Sequence, residues 1–354
     1  MRWPHTRNSE HSVILLAMNW DFRVESTRGD LVESVHRVSL AVVDGEGRLV
    51  AEAGDPGLIT FWRSAAKPFQ AMPMVADGAA EQFRFDLREL ALTCASHSSE
   101  PAHLEVAESL LRKLGLPEQA LACGPHPSLS PAVAEQVLRH GTVMTPRWSN
   151  CSGKHAGMLA LALAHGWPTW GYERQEHPVQ RRILAEVERW TGVRAGEMHL
   201  GVDGCTAVCF GLSLRSMALA YARFGVSEEP AAVRLRAAVA AHPEMVAGHG
   251  RLCTDLLLGT VGMAFAKVGA DGVYCASLPR AGLGVALKVE DGDMRSSAPA
   301  LMAVLRALAG RTPLGFEPST WPESLTRHEA LATVNTRGTR TGVLRAAGEL
   351  RFLA

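Results

Sequence analysis

From Leu31 to Val43 the chain is dense in β-branched and aliphatic residues, Asp44-Gly45-Glu46-Gly47 supplies a turn, and Leu49 to Ala53 runs back. This pattern predicts an antiparallel hairpin at the start of the fold. From Ser64 to about Thr260 the apolar positions change to a helical period, with starts at Ser130-Pro131 and His177-Pro178 and stops at Gly115, Gly141 and Gly192. After Thr260 the strand pattern returns as Met263 to Val268, the turn Gly269-Ala270-Asp271-Gly272, Val273 to Leu278 and Gly282 to Val289, and then a helix from Ser297 to Ala309. Strands at both ends around a helical middle are satisfied most simply by one antiparallel sheet. The expected class is therefore α+β, with a helical lobe inserted between the two parts of the sheet and a cleft where they meet.

The boundaries that follow are an extension over residues 1–28, with Met1 and Met18 both open as the start, and a single catalytic domain over 29–354. Within that domain 29–63 and 260–354 form the sheet lobe and 64–259 the mainly helical lobe. The apolar runs Val13 to Met18 and Ala156 to Ala164 fall far short of the roughly 20 residues a spanning helix needs. Glu10 and His11 before the first run, and Asn19-Trp20-Asp21 after it, do not make a signal peptide.

Composition narrows the function. Of 354 residues, 47% are hydrophobic and 20% charged, enough for a large core. Lys+Arg and Asp+Glu number 36 each, with no run of either sign, which argues against nucleic acid or an anionic membrane as a partner and for a small ligand. Seven cysteines spread along so long a chain suggest reduced thiols or metal ligands, and a cytoplasmic location.

Four short segments and one strand residue carry candidate chemistry. In Arg63-Ser64-Ala65-Ala66-Lys67-Pro68 the spacing stacks Ser64 and Lys67 at a helix start, where a desolvated lysine can serve as base for a serine nucleophile. Ser96-His97 lies in a loop between two helices and offers a second hydroxyl. Asn150-Cys151-Ser152-Gly153-Lys154-His155-Ala156-Gly157 has Trp148 where a phosphate loop needs its first glycine, so nucleotide binding is set aside. With Gly201-Val202-Asp203-Gly204-Cys205 it supplies Cys-x-x-Lys and Asp-x-Cys, donors that suit zinc, although small core cysteines are the more frequent explanation of such thiols. Lys267, on the first returning strand, faces the helix-borne pair as in serine transpeptidases and β-lactamases.

Taken together, these segments, with Met158-Leu159 and Lys267-Val268-Gly269-Ala270-Asp271-Gly272-Val273, resemble the asparaginase II family, the inducible, thermolabile Rhizobium-type L-asparaginases. The likeness runs from about Leu31 to Leu350. It implies a fold similar to serine β-lactamases and glutaminases, hydrolysis of L-asparagine to L-aspartate and ammonia, and a homodimer. It further implies catalytic Ser-Lys pairs Ser64 with Lys67 and Ser96 with Lys267, substrate binding by Arg63, Asp203 and His155, and one zinc per subunit on Cys151, Lys154 and Cys205. Either serine can attack; the three-residue spacing favours Ser64, with Lys67 as its base and Ser96 and Lys267 as a relay.

Three other readings stay open at this level. One is a glutaminase or other serine amidohydrolase on the same scaffold. Another is a hydrolase that cleaves itself at Gly259-Thr260 to free Thr260 as nucleophile. The third is a non-catalytic zinc-containing binding protein.

Overall fold

The computed structural model describes residues 21–353. Twelve strands occur among them: β1 Arg23–Arg28, β2 Leu31–Asp44, β3 Leu49–Ala53, β4 Ile59–Phe61, β5 His199–Val202, β6 Val208–Ser213, β7 Phe265–Val268, β8 Val273–Leu278, β9 Leu283–Val289, β10 Ala330–Val334, β11 Arg340–Ala347 and β12 Arg351–Phe352. Nine of them build one antiparallel sheet along the path β10-β11-β1-β2-β9-β8-β7, with β3 joining β2 to β12. The long β2 is the spine of this sheet. Its first half pairs with β1, and its second half is held between β3 and β9.

The expected hairpin, the three-strand meander and the single sheet drawn from both chain ends are all present. Two differences stand out. The boundary placed at residue 28 falls too late, because Arg23–Arg28 form β1 and pair with both β2 and β11; the rest of the expected extension, residues 1–20, lies outside the described residues. The helical lobe also carries a second sheet, β4-β6-β5, so the Gly201 to Cys205 segment sits at a hairpin.

Residues Val38 to Val43 of β2 are all buried, as is most of β8 and β9, so both faces of the central sheet are covered. Helices Leu214–Val226 and Ser297–Ala309 supply the cover. The first lies so close to β9 that a Cβ at Gly284 would fall 1.9 Å from Ala218 O, which makes glycine obligatory there. The stop glycines Gly115, Gly141 and Gly192 end their helices in the left-handed conformation, φ 66, 60 and 71 degrees, as helix C-caps require. No helix among the described residues is long and apolar enough to cross a membrane.

Candidate active site

The short turn Arg63–Ala66 carries Ser64 and feeds the helix Lys67–Ala76, whose second residue is Pro68. It is pinned from below. Trp62 stacks on Phe69 at 4.8 Å between ring centres, its indole N–H points to Cys275 Sγ, and Tyr221 OH donates to Ala65 O at 2.7 Å. Arg63 itself has φ 53 degrees, a conformation that non-glycine residues adopt rarely and mostly where the surroundings impose it.

From this turn the helix start points Lys67 into the protein. Lys67 Nζ donates to Ala95 O, to Ser96 Oγ at 3.0 Å and to Asn150 O at 3.3 Å. Those three acceptors match the three donors of an ammonium. The expected contact with Ser64 is not among them, and the Ser64 hydroxyl has no hydrogen bond among the described residues. Ser64 is half-buried and faces open space.

Ser96 follows the helix Leu87–Thr93 and is held at its backbone, its N–H donating to Val246 O at 2.9 Å and its carbonyl accepting from Arg251. Its hydroxyl is the meeting point of both lysines. Lys267 on β7 reaches Ser96 Oγ at 2.7 Å and Val268 O at 3.0 Å. Complete burial, with the Lys67 charge second, brings Lys267 down to about 7. Near neutral pH a large share of it is therefore the free amine, and the contact then runs the other way, the Ser96 hydroxyl donating to the lone pair.

In front of these groups are two adjoining cavities. The first, about 280 Å³, is lined by Arg63, Ser64, His126, Asn150, Asp203 and Cys205 among others, a space below the usual range for drug-sized ligands. The second, about 220 Å³, is lined by Ser64, Ser96, Asn150 and Arg251 among others. Ser64, Asn150 and Ala270 line both. On the wall of the first, Arg63 Nε donates to Asp203 Oδ1 at 2.9 Å and its Nη1 meets Asp271. Burial pushes the Asp203 carboxyl up, but Lys154 and Arg63 outweigh it and hold the group ionised below the usual range.

Cys151 and Lys154 lie at the start of the helix Ser152–Ala164, and Cys205 in the hairpin between β5 and β6. A Cβ at Gly153 would lie 2.2 Å from Leu92 O, so this helix start is pressed against the end of the helix that leads to Ser96. Lys154 Nζ donates to Cys205 Sγ at 2.9 Å, and the Cys151 thiol is shared between Asn150 Oδ1, at 2.9 Å, and the Cys205 sulfur. The Cys151 contact first, and the Lys154 charge after it, hold Cys205 down at about 5 against its burial. No group of three or more His, Cys, Asp and Glu among the described residues has metal-holding geometry. A metal here would need the Lys154 amine as a third donor beside the two sulfurs; Cys205 Sγ is in contact with both Lys154 and Cys151. All seven cysteines are free.

His155 is not where the resemblance puts it. It is fully buried behind Lys154, its Nδ1 paired with Tyr172 OH at 2.8 Å, and it lines neither cavity. Thr260 closes the helix Leu252–Gly259, is buried, and donates its hydroxyl to Leu256 O at 2.7 Å, so it is not presented as a nucleophile. No local pattern marks two further residues at the site, His126, whose Nε2 accepts the Asn150 N–H at 2.8 Å, and Arg251. The Gly124-Pro125-His126-Pro127 run marks a loop, but nothing local says that it returns to Asn150.

Two buried lysines thus meet on the Ser96 hydroxyl beside two small adjoining cavities, the first walled by the Arg63–Asp203 pair. Residues 24–346 match the family described as L-asparaginase II, and the chain belongs to that family as an asparaginase-type hydrolase. No curated protein matches it. Solved structures similar to it include a beta-lactamase from Mycobacterium bovis, 14% identical, covering 77% of this chain and 94% of that one at a TM-score of 0.35. They also include an octameric penicillin-binding protein homologue from Pyrococcus abyssi, 13% identical over 90% of this chain and 84% of that one, TM-score 0.35. At such identities the likeness concerns the fold alone.

Proposed function

We propose that the protein hydrolyses the side-chain amide of L-asparagine to L-aspartate and ammonia by serine nucleophilic catalysis. The observation that carries this reading is Ser96 Oγ held between Lys67 and Lys267 at 3.0 and 2.7 Å, beside a cavity gripped by Arg63 and Asp203. Arg63 takes the α-carboxylate and Asp203 the α-ammonium, which leaves the side-chain carbonyl at Ser64. Ser64 is the attacking hydroxyl because it alone of the two serines lines both cavities. Its proton passes to Ser96 as Ser96 gives its own to the Lys267 amine, while Lys67 stays charged and stabilises the developing alkoxide. Lysine 267 returns the proton to the departing ammonia, and water then hydrolyses the aspartyl ester.

Cys151, Lys154 and Cys205 would hold one zinc per subunit. When bound, the metal fixes the hairpin that carries Asp203 and adds positive charge at the cavity wall. Arg63, Asp203 and the two Ser-Lys contacts orient substrate and move protons from their own positions. A homodimer and a reducing, cytoplasmic setting complete the proposal, the latter supported by seven free thiols.

The decisive experiment is ammonia release from L-asparagine, with L-glutamine in parallel, by the parent and by Ser64→Ala and Ser96→Ala. It is paired with mass spectrometry of protein trapped with an electrophilic asparagine analogue. The proposal expects activity on asparagine, glutamine weaker by about 10 to 200-fold for its one extra methylene, and the label on Ser64. A label on Ser96 would move the nucleophile there, with Lys267 as its direct base. A parent inert toward both amides would overturn the assignment in favour of a binding protein.

A further inference from the structure

Arg251 is a cation without a counter-ion among the described residues. Its Nη1 donates to Ser96 O, to Ala247 O at 3.2 Å and to Ser98 Oγ at 3.4 Å, while no carboxylate pairs with it and its Nε and Nη2 have no hydrogen bond among the described residues. It lines the second cavity together with Ser64 and Ser96. The lining of that cavity also includes Leu129 and Met294, which are 43% and 45% exposed.

The placement of this cavity is informative. With asparagine gripped by Arg63 and Asp203 in the first cavity, its reacting carbonyl lies at Ser64, where the two spaces join. The second cavity then lies on the side from which the leaving amine departs. Ammonia fills almost none of about 220 Å³. A guanidinium with free N–H groups recognises a carboxylate in preference to most other groups, and two exposed apolar side chains suit an aliphatic substituent.

We propose that the second cavity is a leaving-group subsite, and that the protein also cleaves β-aspartyl dipeptides whose leaving amino acid is apolar, its carboxylate held by Arg251. This rests on the asparaginase reading for the first cavity. Ser64 Oγ forms a bond to the β-carbonyl carbon, the C–N bond to the leaving amino acid breaks, and its nitrogen takes the proton carried by Lys267. Water then cleaves the ester, so that dipeptide and water give aspartate and a free amino acid. The chemistry at the carbonyl is that of asparagine itself; only the leaving group differs.

The test compares L-asparagine, β-aspartyl-leucine and β-aspartyl-leucinamide, with aspartate release as the common readout. The expected result is turnover of asparagine and of the dipeptide acid, with the amide, which lacks the carboxylate, at least tenfold lower in kcat/KM. In Leu129→Asp, which puts a negative charge into the cavity that would take the anionic leaving amino acid, dipeptide turnover should fall at least tenfold while asparagine turnover stays the same. Activity on asparagine with none on either dipeptide overturns the subsite and leaves the proposed function standing. Equal rates on acid and amide overturn the role of Arg251. Inertness toward all three overturns the proposed function and the subsite with it.

Discussion

Lys267 Nζ stands 2.7 Å from Ser96 Oγ although 171 residues separate them, one on a strand that returns late in the chain and the other in a loop after a helix. The sheet lobe and the helical lobe each contribute one half of the pair, and burial at the seam is what lowers the lysine to about 7. Chemistry at Ser96 therefore depends on the two lobes being closed on each other.

Activity should follow the free amine of Lys267. Because the proposed mechanism uses the group as a proton acceptor, kcat/KM is expected to rise with pH through about 7 and then level off. Lys267→Arg, which keeps the charge but cannot release its proton in this range, should lose activity by about 10² to 10⁴-fold at every pH. A pH profile of both proteins checks this, and an active Lys267→Arg would remove Lys267 from proton transfer.

The same burial predicts a stability effect. The folded chain gives up the Lys267 proton near 7, whereas the unfolded chain keeps it to about 10.4. Between those values the unfolded state binds more protons, so this group makes stability rise with pH across that window. Lys267→Met is expected to raise the melting temperature at pH 6 more than at pH 10. A pH-independent change would place the lysine in a wetter site.

Arg63→Lys should raise KM for asparagine by about 10 to 100-fold, the loss of a charge-assisted contact of about 1.5 to 3 kcal/mol, with a smaller effect on kcat. Steady-state kinetics separates the two constants. A fall in kcat alone would show that Arg63 acts on the reacting carbonyl instead of on the amino-acid head.

Zinc binding has its own readout. Elemental analysis of the purified parent should find about one zinc per chain, and Cys205→Ala should hold none. Chelation should lower the melting temperature of the parent and leave that of Cys205→Ala unchanged. A metal-free parent that does not respond to added zinc would leave Lys154 and Cys205 as an ion pair that supports the hairpin.

Gly153→Ala forces a methyl against Leu92 O, at 2.2 Å from the unrelaxed position. Destabilisation of about 1 to 3 kcal/mol is expected from such overpacking, together with lower activity, because the displaced helix start carries Cys151 and Lys154. Denaturant unfolding beside an activity assay checks both.

The α+β class, the hairpin Leu31 to Ala53, the meander from Phe265 to Val289 and the capped helices are legible in the chain's local pattern, because they follow from hydrophobic period and from glycine and proline at fixed places. The sequence also named Ser64, Lys67, Ser96, Lys267, Cys151, Lys154, Cys205, Arg63 and Asp203, all of which meet at the seam. Of the two Ser-Lys pairs that the family resemblance implied, Ser96 with Lys267 is in contact and Ser64 with Lys67 is not. Three-residue spacing suggested Ser64 with Lys67, but the short turn before the helix sends Lys67 inward to Ser96 and Asn150. His155 shares a helix start with Lys154 yet faces the opposite way, toward Tyr172. β1 escaped notice because its alternation is short and charged, and only pairing with β2 and β11 makes it a strand. Arg251 and His126 act through backbone groups of residues far along the chain. Contacts of that kind depend on how two lobes pack, and packing joins residues by space, which no local period encodes.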